Sequence, residues 1–261
     1  PPAGFARAGD GRRCRAGAGS GTLAAMDKPL HALVTGANRG LGLEFTRQLL
    51  ARGARVVATC RQPGKATGLN ALAGEYPGRL HVLPLDVADA RSHAEVVREL
   101  PLVLGDAGRL HLLLNNAGIL PSGERFGRLE AATLERTFRT NAAGPLLLAQ
   151  ALAPLLADGA RVVNVSSRLG SMAATGRFGT PSYAMSKAAL NMATVQMAHA
   201  LADRGIAVIA VSPGWVRTDM GGSGAEVAPG DAVAGVLRQV DAVSAGDSGR
   251  FIGTDGENIP W

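Results

Sequence analysis

The chain has 261 residues, of which 46% are hydrophobic and 18% charged, a globular composition that excludes a collagen-like fibre or a chain without a core. Half of its formal net charge of +6 falls in residues 1–25, where Arg7, Arg12, Arg13 and Arg15 stand against Asp10, so the remainder has no basic, aromatic-interleaved run for nucleic acid. Cys14 and Cys60 offer neither a disulfide framework nor metal spacing, which points to a cytoplasmic protein without a metal, and no apolar run reaches the ~18 residues of a membrane span.

Residues 1–25, rich in Gly, Ala and Arg, lack the apolar centre of a secretory signal. Met26 reads as a natural start and the stretch before it as a disordered extension or upstream remnant, with an organellar transit peptide as the minor alternative. Residues 26–261 then form one domain. From Leu30 onward short apolar runs alternate with amphipathic stretches. Leu30–Thr35 is a strand, Leu41–Arg52 a helix, Ala54–Cys60 a strand, Lys65–Gly74 a helix, Leu80–Leu85 a strand and Asp89–Leu104 a helix. Arg109–Asn115 follows as a fourth strand, and Leu129–Arg139 and Gly144–Ala157 as helices. Arg161–Ser166 is a fifth strand, Pro181–Arg204 a long helix, Ile206–Ser212 a sixth strand, Pro229–Val240 a last helix and Arg250–Gly253 a short closing strand. Runs such as Leu-Leu-Leu and Ala-Val-Ile-Ala-Val do not alternate with polar residues, as befits strands covered on both faces. The expected fold is a single-domain α/β protein with a doubly wound, Rossmann-like parallel sheet.

Thr35-Gly36-Ala37-Asn38-Arg39-Gly40-Leu41-Gly42 links the first strand to the first helix. Glycines there allow a tight turn and close backbone approach to a phosphate, and the helix start favours negative charge. The second strand ends Thr59-Cys60-Arg61, without the carboxylate that usually accepts from an NAD ribose. Arg61 and Arg39 instead offer two guanidiniums to a 2′-phosphate, so NADP(H) is favoured and NAD(H) is the alternative. Asp86-Val87 and Asn115-Asn116-Ala117-Gly118 also follow strands, where ligands of open sheets bind, although Asn115 reads equally well as an amide that caps its strand.

A second group of residues falls at the same edge. Ser166-Ser167 ends the fifth strand, and Pro213-Gly214-Trp215-Val216-Arg217-Thr218 follows the sixth. Asn141 interrupts a helical region and is expected to break it locally. Tyr183 and Lys187, four apart at a helix start, share one face. Lys187 is one of only three lysines in a chain with twenty-four arginines, so a compact ammonium at this point is informative. Its charge is expected to lower the Tyr183 pKa from about 10 and make the phenol a usable acid or base. The five histidines show no nucleophile-elbow or metal spacing.

Taken in order, Thr-Gly-x3-Gly-x-Gly at 35–42, Asn-Asn-Ala-Gly at 115–118, Asn141, Ser167, Tyr-x3-Lys at 183–187 and Pro-Gly at 213–214 resemble the single-domain short-chain dehydrogenase/reductase family over residues 28–261. The glycine loop, Ser-Ser-Arg-Leu-Gly-Ser at 166–171, Pro-Gly-Trp-Val-Arg-Thr-Asp-Met-Gly-Gly at 213–222 and the ending Asp-Gly-Glu-Asn-Ile-Pro-Trp261 are similar to its C-factor-like and carbonyl-reductase-like branch. The resemblance implies catalytic roles for four residues. Tyr183 would be the general acid, Ser167 the holder of the carbonyl and Lys187 the group that tunes Tyr183 and binds the nicotinamide ribose. Asn141 would fix a water in a proton relay. It also implies that Gly36, Gly40 and Gly42 approach the pyrophosphate, with Asn38, Arg39, Leu41 and Arg61 beside them. Asp86 would meet the adenine, Asn115 the adenosine-side ribose and Thr218 the carboxamide, with Val87, Ala117, Gly118, Tyr183, Lys187, Pro213, Gly214 and Val216 also in the cofactor site.

The interval from Ser167 to Tyr183 is longer than usual for that family, the excess falling in Ala173–Thr180, so Ser166 stays open as the alternative serine. The segment from Asp219 to Pro229, where the family builds a substrate lid, is short and glycine-rich. That implies an open or small pocket, or one completed by another subunit. The apolar helix at Pro145–Leu156 and the Tyr183 helix imply a homodimer or homotetramer. The function expected is a hydride transfer between NADP(H) and a small carbonyl or alcohol. The alternative is a nucleotide-binding regulatory or signalling protein of the C-factor-like type with little turnover. A nucleotide-sugar epimerase is the weaker third reading.

Overall fold

A computed structural model describes residues 29–105 and 108–261; the expectations for residues 1–25 lie outside them. Seven parallel strands form one sheet in the order β3-β2-β1-β4-β5-β6-β7. They are β1 (His31–Thr35), β2 (Arg55–Cys60), β3 (Leu80–Pro84), β4 (Leu110–Asn115), β5 (Leu156–Val165), β6 (Ala207–Val211) and β7 (Phe251–Ile252). Between them run α1 (Gly40–Ala51), α2 (Thr67–Glu75), α3 (Ala90–Leu104), α4 (Ala131–Phe138), α5 (Gly144–Leu152), α6 (Pro181–Ala200) and α7 (Pro229–Ala242). The doubly wound sheet expected from the apolar runs is therefore present. The chain winds outward from β1 to β3 and then returns to lay β4 against the other side of β1. The crevice at the β1/β4 switch is where open sheets of this kind bind ligands.

Alternate residues of each strand serve two cores, which is why the strand sequences carry no polar face. Ala32, Val34, Val56, Ala58, Leu112, Leu114, Ile209 and Val211 pack on one side with Phe45, Leu49 and Leu50 of α1 and Val233, Val236 and Leu237 of α7. Leu33, Val57, Leu113, Val162 and Val208 pack on the other with Val96 and Leu100 of α3, Leu148 and Leu152 of α5, and Ala193 and Met197 of α6. A fully buried leucine or valine contributes about 1.5–3 kcal/mol, so both faces hold the sheet rigid at the edge where the loops emerge.

Local chemistry sets the element ends. Asp89 precedes α3 and its carboxylate accepts from the Arg91 N–H at 2.9 Å. Proline opens α6 and α7, where its missing N–H is not needed. Two expectations shift. The helix anticipated to Ala157 stops at Leu152, because Pro154 cannot continue it; β5 then begins at Leu156, with an irregular register before steady pairing from Arg161. The long helix anticipated to Arg204 ends at Ala200, and a separate turn follows at Ala202–Arg204.

A buried chain of amides ties α6 to the sheet. Asn115 Nδ2 donates to Asn164 Oδ1 at 2.9 Å, Asn164 Nδ2 donates to Thr194 Oγ1 at 2.8 Å, and Thr194 donates to the Leu190 carbonyl at 2.9 Å. Replacing Asn164 by alanine strands buried partners on β4 and α6. An orphaned buried polar group costs ~1–3 kcal/mol, so Asn164→Ala should destabilise the fold by at least about 2 kcal/mol. Urea denaturation measures this; a loss below ~0.5 kcal/mol would show that the chain of amides is not a unit.

Candidate active site

The loops that follow β1 to β6 gather at the carboxyl edge of the sheet. Gly36 takes φ +65°, and a Cβ on it would stand 2.9 Å from Ala117 Cα. A Cβ on Gly42 would stand 2.2 Å from the Gly36 carbonyl oxygen. Only glycine satisfies both positions, and the loop is thereby drawn down on the ends of β1 and β4. Asn116 completes that seam: its Nδ2 donates to the Thr35 carbonyl at 2.9 Å, and the Asn116 and Ala117 N–H groups each donate to Thr35 Oγ1 at 3.0 Å. At the start of α1, Arg39 makes no capping bond and the first turn holds no acidic residue. Its N–H groups and dipole are left to an external anion. Glycine cradle, uncapped helix start and switch-point position together fit the diphosphate of a dinucleotide.

Around the cradle, Thr218 comes close from the β6 side, its Cγ2 lying 3.5 Å from a Cβ built on Gly40. Arg39, exposed, pairs with Asp219 at 3.1 Å, while Arg61 lies exposed beyond β2 and takes part in no ion pair among the described residues. An ion pair so exposed contributes little and yields readily to a phosphate. Asp86 follows β3, half-buried, and its Oδ1 accepts from the Ala88 N–H at 2.9 Å. Val87 is buried, and its carbonyl approaches Gly144 so closely that a Cβ there would lie at 2.4 Å. Asn115, read from the sequence either as a ribose contact or as a strand-capping amide, is engaged within the fold. Only 2% exposed, it turns its amide nitrogen into the fold toward Asn164, and its Oδ1 has no protein partner.

The chemical half is built on the first turn of α6. Tyr183 and Lys187 share a face as their spacing required, with Lys187 Nζ 5.5 Å from the Tyr183 ring centroid. Ser167 lies near enough to the phenol to act on its pKa, and its Oγ accepts from the Leu169 N–H at 3.2 Å. Ser166, the alternative serine, is 2% exposed and donates to Asn191 Oδ1 at 2.6 Å, so it is part of the packing and does not face Tyr183. Lys187, also buried, donates to the Val165 carbonyl at 2.7 Å. Asn141 sits in a π-helical turn, Arg139–Ala143, between α4 and α5, which is the local break its position suggested. Its amide is engaged on three sides: Nδ2 donates to the Ile119 carbonyl at 2.8 Å and to Ser186 Oγ at 3.0 Å, and Oδ1 accepts from the Ile119 N–H at 2.8 Å. A Cβ on Gly118 would fall 3.4 Å from Asn141 Oδ1 and 3.8 Å from Lys187 Nζ, so these three residues meet at one point.

Electrostatically the site differs from the sequence reading. Burial pushes the Tyr183 phenol above its usual value, and the Ser167 side chain acts against that shift. Lys187 is not among the causes of the Tyr183 shift, so the lowering expected from it is absent and desolvation of the phenolate sets the direction. Burial lowers the Lys187 ammonium to about 8, which leaves it charged at neutral pH.

Several contributors escaped the sequence reading. Ser186 links Asn141 to α6, and also donates to the Tyr183 carbonyl at 2.7 Å. Gly170 lets the serine loop reach α6: a Cβ there would stand 2.7 Å from the Lys187 carbonyl carbon. Glu124, in the loop after β4, accepts from the Ser182 N–H at 3.3 Å and from the Ser182 hydroxyl. It thus caps α6 from outside, since Thr180 at the cap position is left-handed (φ +43°) and makes no capping bond. Ser186 was visible as the residue before the lysine, whereas nothing in the sequence joins Glu124 to Ser182. The short segment after Asp219 folds on itself: Trp215 Nε1 donates to the Gly221 carbonyl at 2.8 Å, and Val227 N–H to the Trp215 carbonyl at 3.1 Å.

Fold and site define a dinucleotide-binding α/β protein with a Ser-Tyr-Lys cluster at its cleft. A family model described as short chain dehydrogenase matches residues 30–227. The chain is 43% identical over 156 residues to C-signal of Myxococcus xanthus, covering 59% of this chain and 94% of that protein. It is 33% identical over 234 residues to a 1-hydroxy-2-glutathionyl-2-methyl-3-butene dehydrogenase of Rhodococcus, covering 88% of this chain and 98% of that one. Among solved structures, the NADPH-bound carbonyl reductase from chicken fatty liver superposes with a TM-score of 0.84 at 35% identity, covering 90% of this chain and 100% of that one. The chain belongs to the short chain dehydrogenase family of oxidoreductases, in its C-factor-like and carbonyl-reductase-like branch.

The displaced ammonium makes a testable statement. Lowering from 10.5 to about 8 corresponds to roughly 3 kcal/mol set against the fold at neutral pH. The folded protein binds its Lys187 proton more weakly than the unfolded chain, so this penalty is full below pH 8. It shrinks as pH rises from about 8 toward 10.5. Lys187→Met should therefore unfold at higher denaturant than the parent at pH 7 while losing activity, and the stability gap should narrow above pH 8. A variant less stable than the parent at pH 7 would show that the bond to Val165 outweighs desolvation.

Proposed function

We propose that the protein is an NADP(H)-dependent carbonyl reductase or alcohol dehydrogenase, residues 26–261 being its catalytic unit. The observation that carries the reading is the buried Lys187 ammonium 5.5 Å from the Tyr183 ring, with Ser167 beside the phenol, at the edge that also bears the glycine cradle. The NADPH bound by the chicken enzyme and Arg61 beyond β2, without an ion pair among the described residues, support the choice of NADP(H), with Arg39 able to leave Asp219 for the same phosphate. When bound, the reduced nicotinamide supplies the hydride.

The residues of the chain do the rest. Ser167 donates a hydrogen bond to the substrate carbonyl oxygen and holds it beside Tyr183. Because burial raises its pKa, Tyr183 stays protonated through neutral pH and gives its proton to that oxygen as negative charge builds there. Lys187 keeps two N–H donors beyond its bond to Val165; these serve the nicotinamide ribose, and the positive charge steadies the phenolate left behind. Asn141 has both amide hydrogens engaged, so a relay water would rest on its remaining Oδ1 lone pair or on the backbone of the π-helical turn. Gly36, Asn38, Gly40, Leu41 and Gly42 would frame the diphosphate. Asp86 and Val87 would lie by the adenine, Ala117 and Gly118 by the ribose, and Pro213, Gly214, Val216 and Thr218 by the carboxamide.

Leu147 of α5 and Met192 of α6 are 44% and 61% exposed although both helices bury their other faces. That apolar surface supports a homodimer or homotetramer formed through these helices. Among the described residues no helix is long and apolar enough to cross a membrane; with the absence of a cysteine framework from the sequence, this supports a cytoplasmic location.

The deciding experiment measures NADPH oxidation against a panel of aldehydes, ketones and quinones. The parent should turn over several of them, and Tyr183→Phe should lower kcat/KM by about 10²–10⁴-fold, the usual contribution of a positioned proton donor, with NADPH affinity little changed. Arg61→Ala should weaken NADPH binding severalfold and NADH binding hardly at all. The likeness to C-signal favours a second reading, a nucleotide-binding signalling protein. A cellular effect that survives Tyr183→Phe, together with cofactor binding and no turnover across the panel, would establish it instead. In sedimentation the protein should run at twice the chain mass or four times it at micromolar concentration; a stable monomer excludes the α5–α6 interface.

A further inference from the structure

The segment that separates Ser167 from Tyr183 walls a cavity of about 390 Å³. Arg168, Leu169, Thr175, Arg177 and Ala184 line it. The lining begins one residue beyond Ser167 and one beyond Tyr183, so the cavity adjoins the carbonyl position without containing it. Its chemistry is one-sided. Arg168 and Arg177 are the charged residues of the lining and no carboxylate is among them, while the Thr175 hydroxyl donates to the Ser171 carbonyl at 2.7 Å.

The wall is fastened from outside. Arg168 is ion-paired with Glu257, Ser171 Oγ donates to the Pro260 carbonyl at 2.6 Å, and the Ala173 N–H donates to the Trp261 carbonyl at 3.0 Å. The Trp261 ring in turn stacks on Phe251 of β7, centroids 5.6 Å apart. Arg168 is thus held in place by one contact and keeps further donors for another. Arg177 takes part in no ion pair among the described residues. Next to it Phe178 meets Phe126 of the loop after β4 edge to face, centroids 5.9 Å apart, and Phe126 is 85% exposed. Two exposed rings in contact, each preceded by an arginine (Arg125 and Arg177), form a surface for a flat apolar body that carries negative charge.

Resting on the carbonyl-reductase reading, we propose that this cavity is a substrate subsite for an anionic group, and that the preferred substrates are carbonyl compounds bearing a carboxylate on an aromatic or apolar body. Arg177 is the specificity-determining residue; Arg168, fixed by Glu257, is the second donor. Charge-assisted bonds to a carboxylate are stronger than neutral ones, although partial exposure reduces the gain.

The test uses a matched pair, 4-acetylbenzoate and its methyl ester, with NADPH and the full chain. The parent should reduce the acid with a KM about fivefold or more below that of the ester. Arg177→Gln should raise the KM for the acid by about the same factor, leaving kcat and the ester unchanged, and Arg177→Lys should recover part of the difference. Equal KM values for acid and ester, or an Arg177→Gln effect on both alike, overturn the subsite. Binding of both compounds to the protein saturated with NADP⁺, followed by ligand-observed NMR, separates the two readings. If neither is reduced but the acid binds better than the ester and Arg177→Gln removes that advantage, the subsite stands and the reductase reading falls. If the acid binds no better than the ester, the subsite is wrong whatever the turnover.

Discussion

A positive charge without water around it is the constraint on which the site depends. Lys187 is buried beneath Tyr183 with one hydrogen bond, to the Val165 carbonyl at the end of β5. A sequence optimised for stability alone would place an apolar side chain there, since burying an ammonium costs several kcal/mol even after the protein relaxes. The surroundings are shaped to keep the charge in position. Gly170 brings the serine loop against the helix at Lys187, Gly118 leaves space between the ammonium and Asn141, and the amide chain through Asn164 holds α6 to the sheet. These residues are small or polar where packing alone would favour larger apolar ones.

The parallel sheet makes that arrangement affordable. Both faces of the strands are covered, so the backbone is rigid and its carboxyl ends point one way. At the β1/β4 switch the loops diverge, and the seam from Thr35 to Asn116 closes the floor of the opening. The glycine cradle sits on one side of this floor and the Ser167, Tyr183 and Lys187 side chains on the other. Arg39 and Asp219 bridge the opening through an exposed contact weak enough to exchange for a ligand.

The strands and helices were legible because burial on two faces leaves its mark in uninterrupted apolar runs such as Leu112–Leu114. Tyr183, Lys187 and Asn141 were legible because helical spacing and an ill-suited helix residue are local signals. What failed depended on competition among distant groups. The sign of the Tyr183 shift follows from how thoroughly the fold excludes water, which a tetrad of residues does not encode. Asn115 read equally as a ligand contact or as an amide that caps its strand, and its partner Asn164, 49 residues away, engages the amide nitrogen. Glu124 offered no signal, since the α6 start it caps lies 58 residues further along. Ser166 and Ser167 were separable only once strand alternation sent one inward to Asn191 and the other to Tyr183.

The longer interval between Ser167 and Tyr183 shows how such a departure acts. Extra residues in a surface loop cost little in chain entropy, so length alone is neutral. Here the loop gains contacts that a shorter one would lack. Residues 257–261 tie it at Arg168, Ser171 and Ala173, and Phe178 reaches Phe126 across the mouth. Held at both places, it becomes a wall with a space behind it. The inner half is fixed where Gly170 packs against α6 at Lys187, a place with no room for a side chain. The outer half, from Ala174 to Gly179, meets solvent and can change its charge without disturbing Lys187. The residues packed against α6 and those that wall the cavity therefore lie on one continuous segment but under separate physical control.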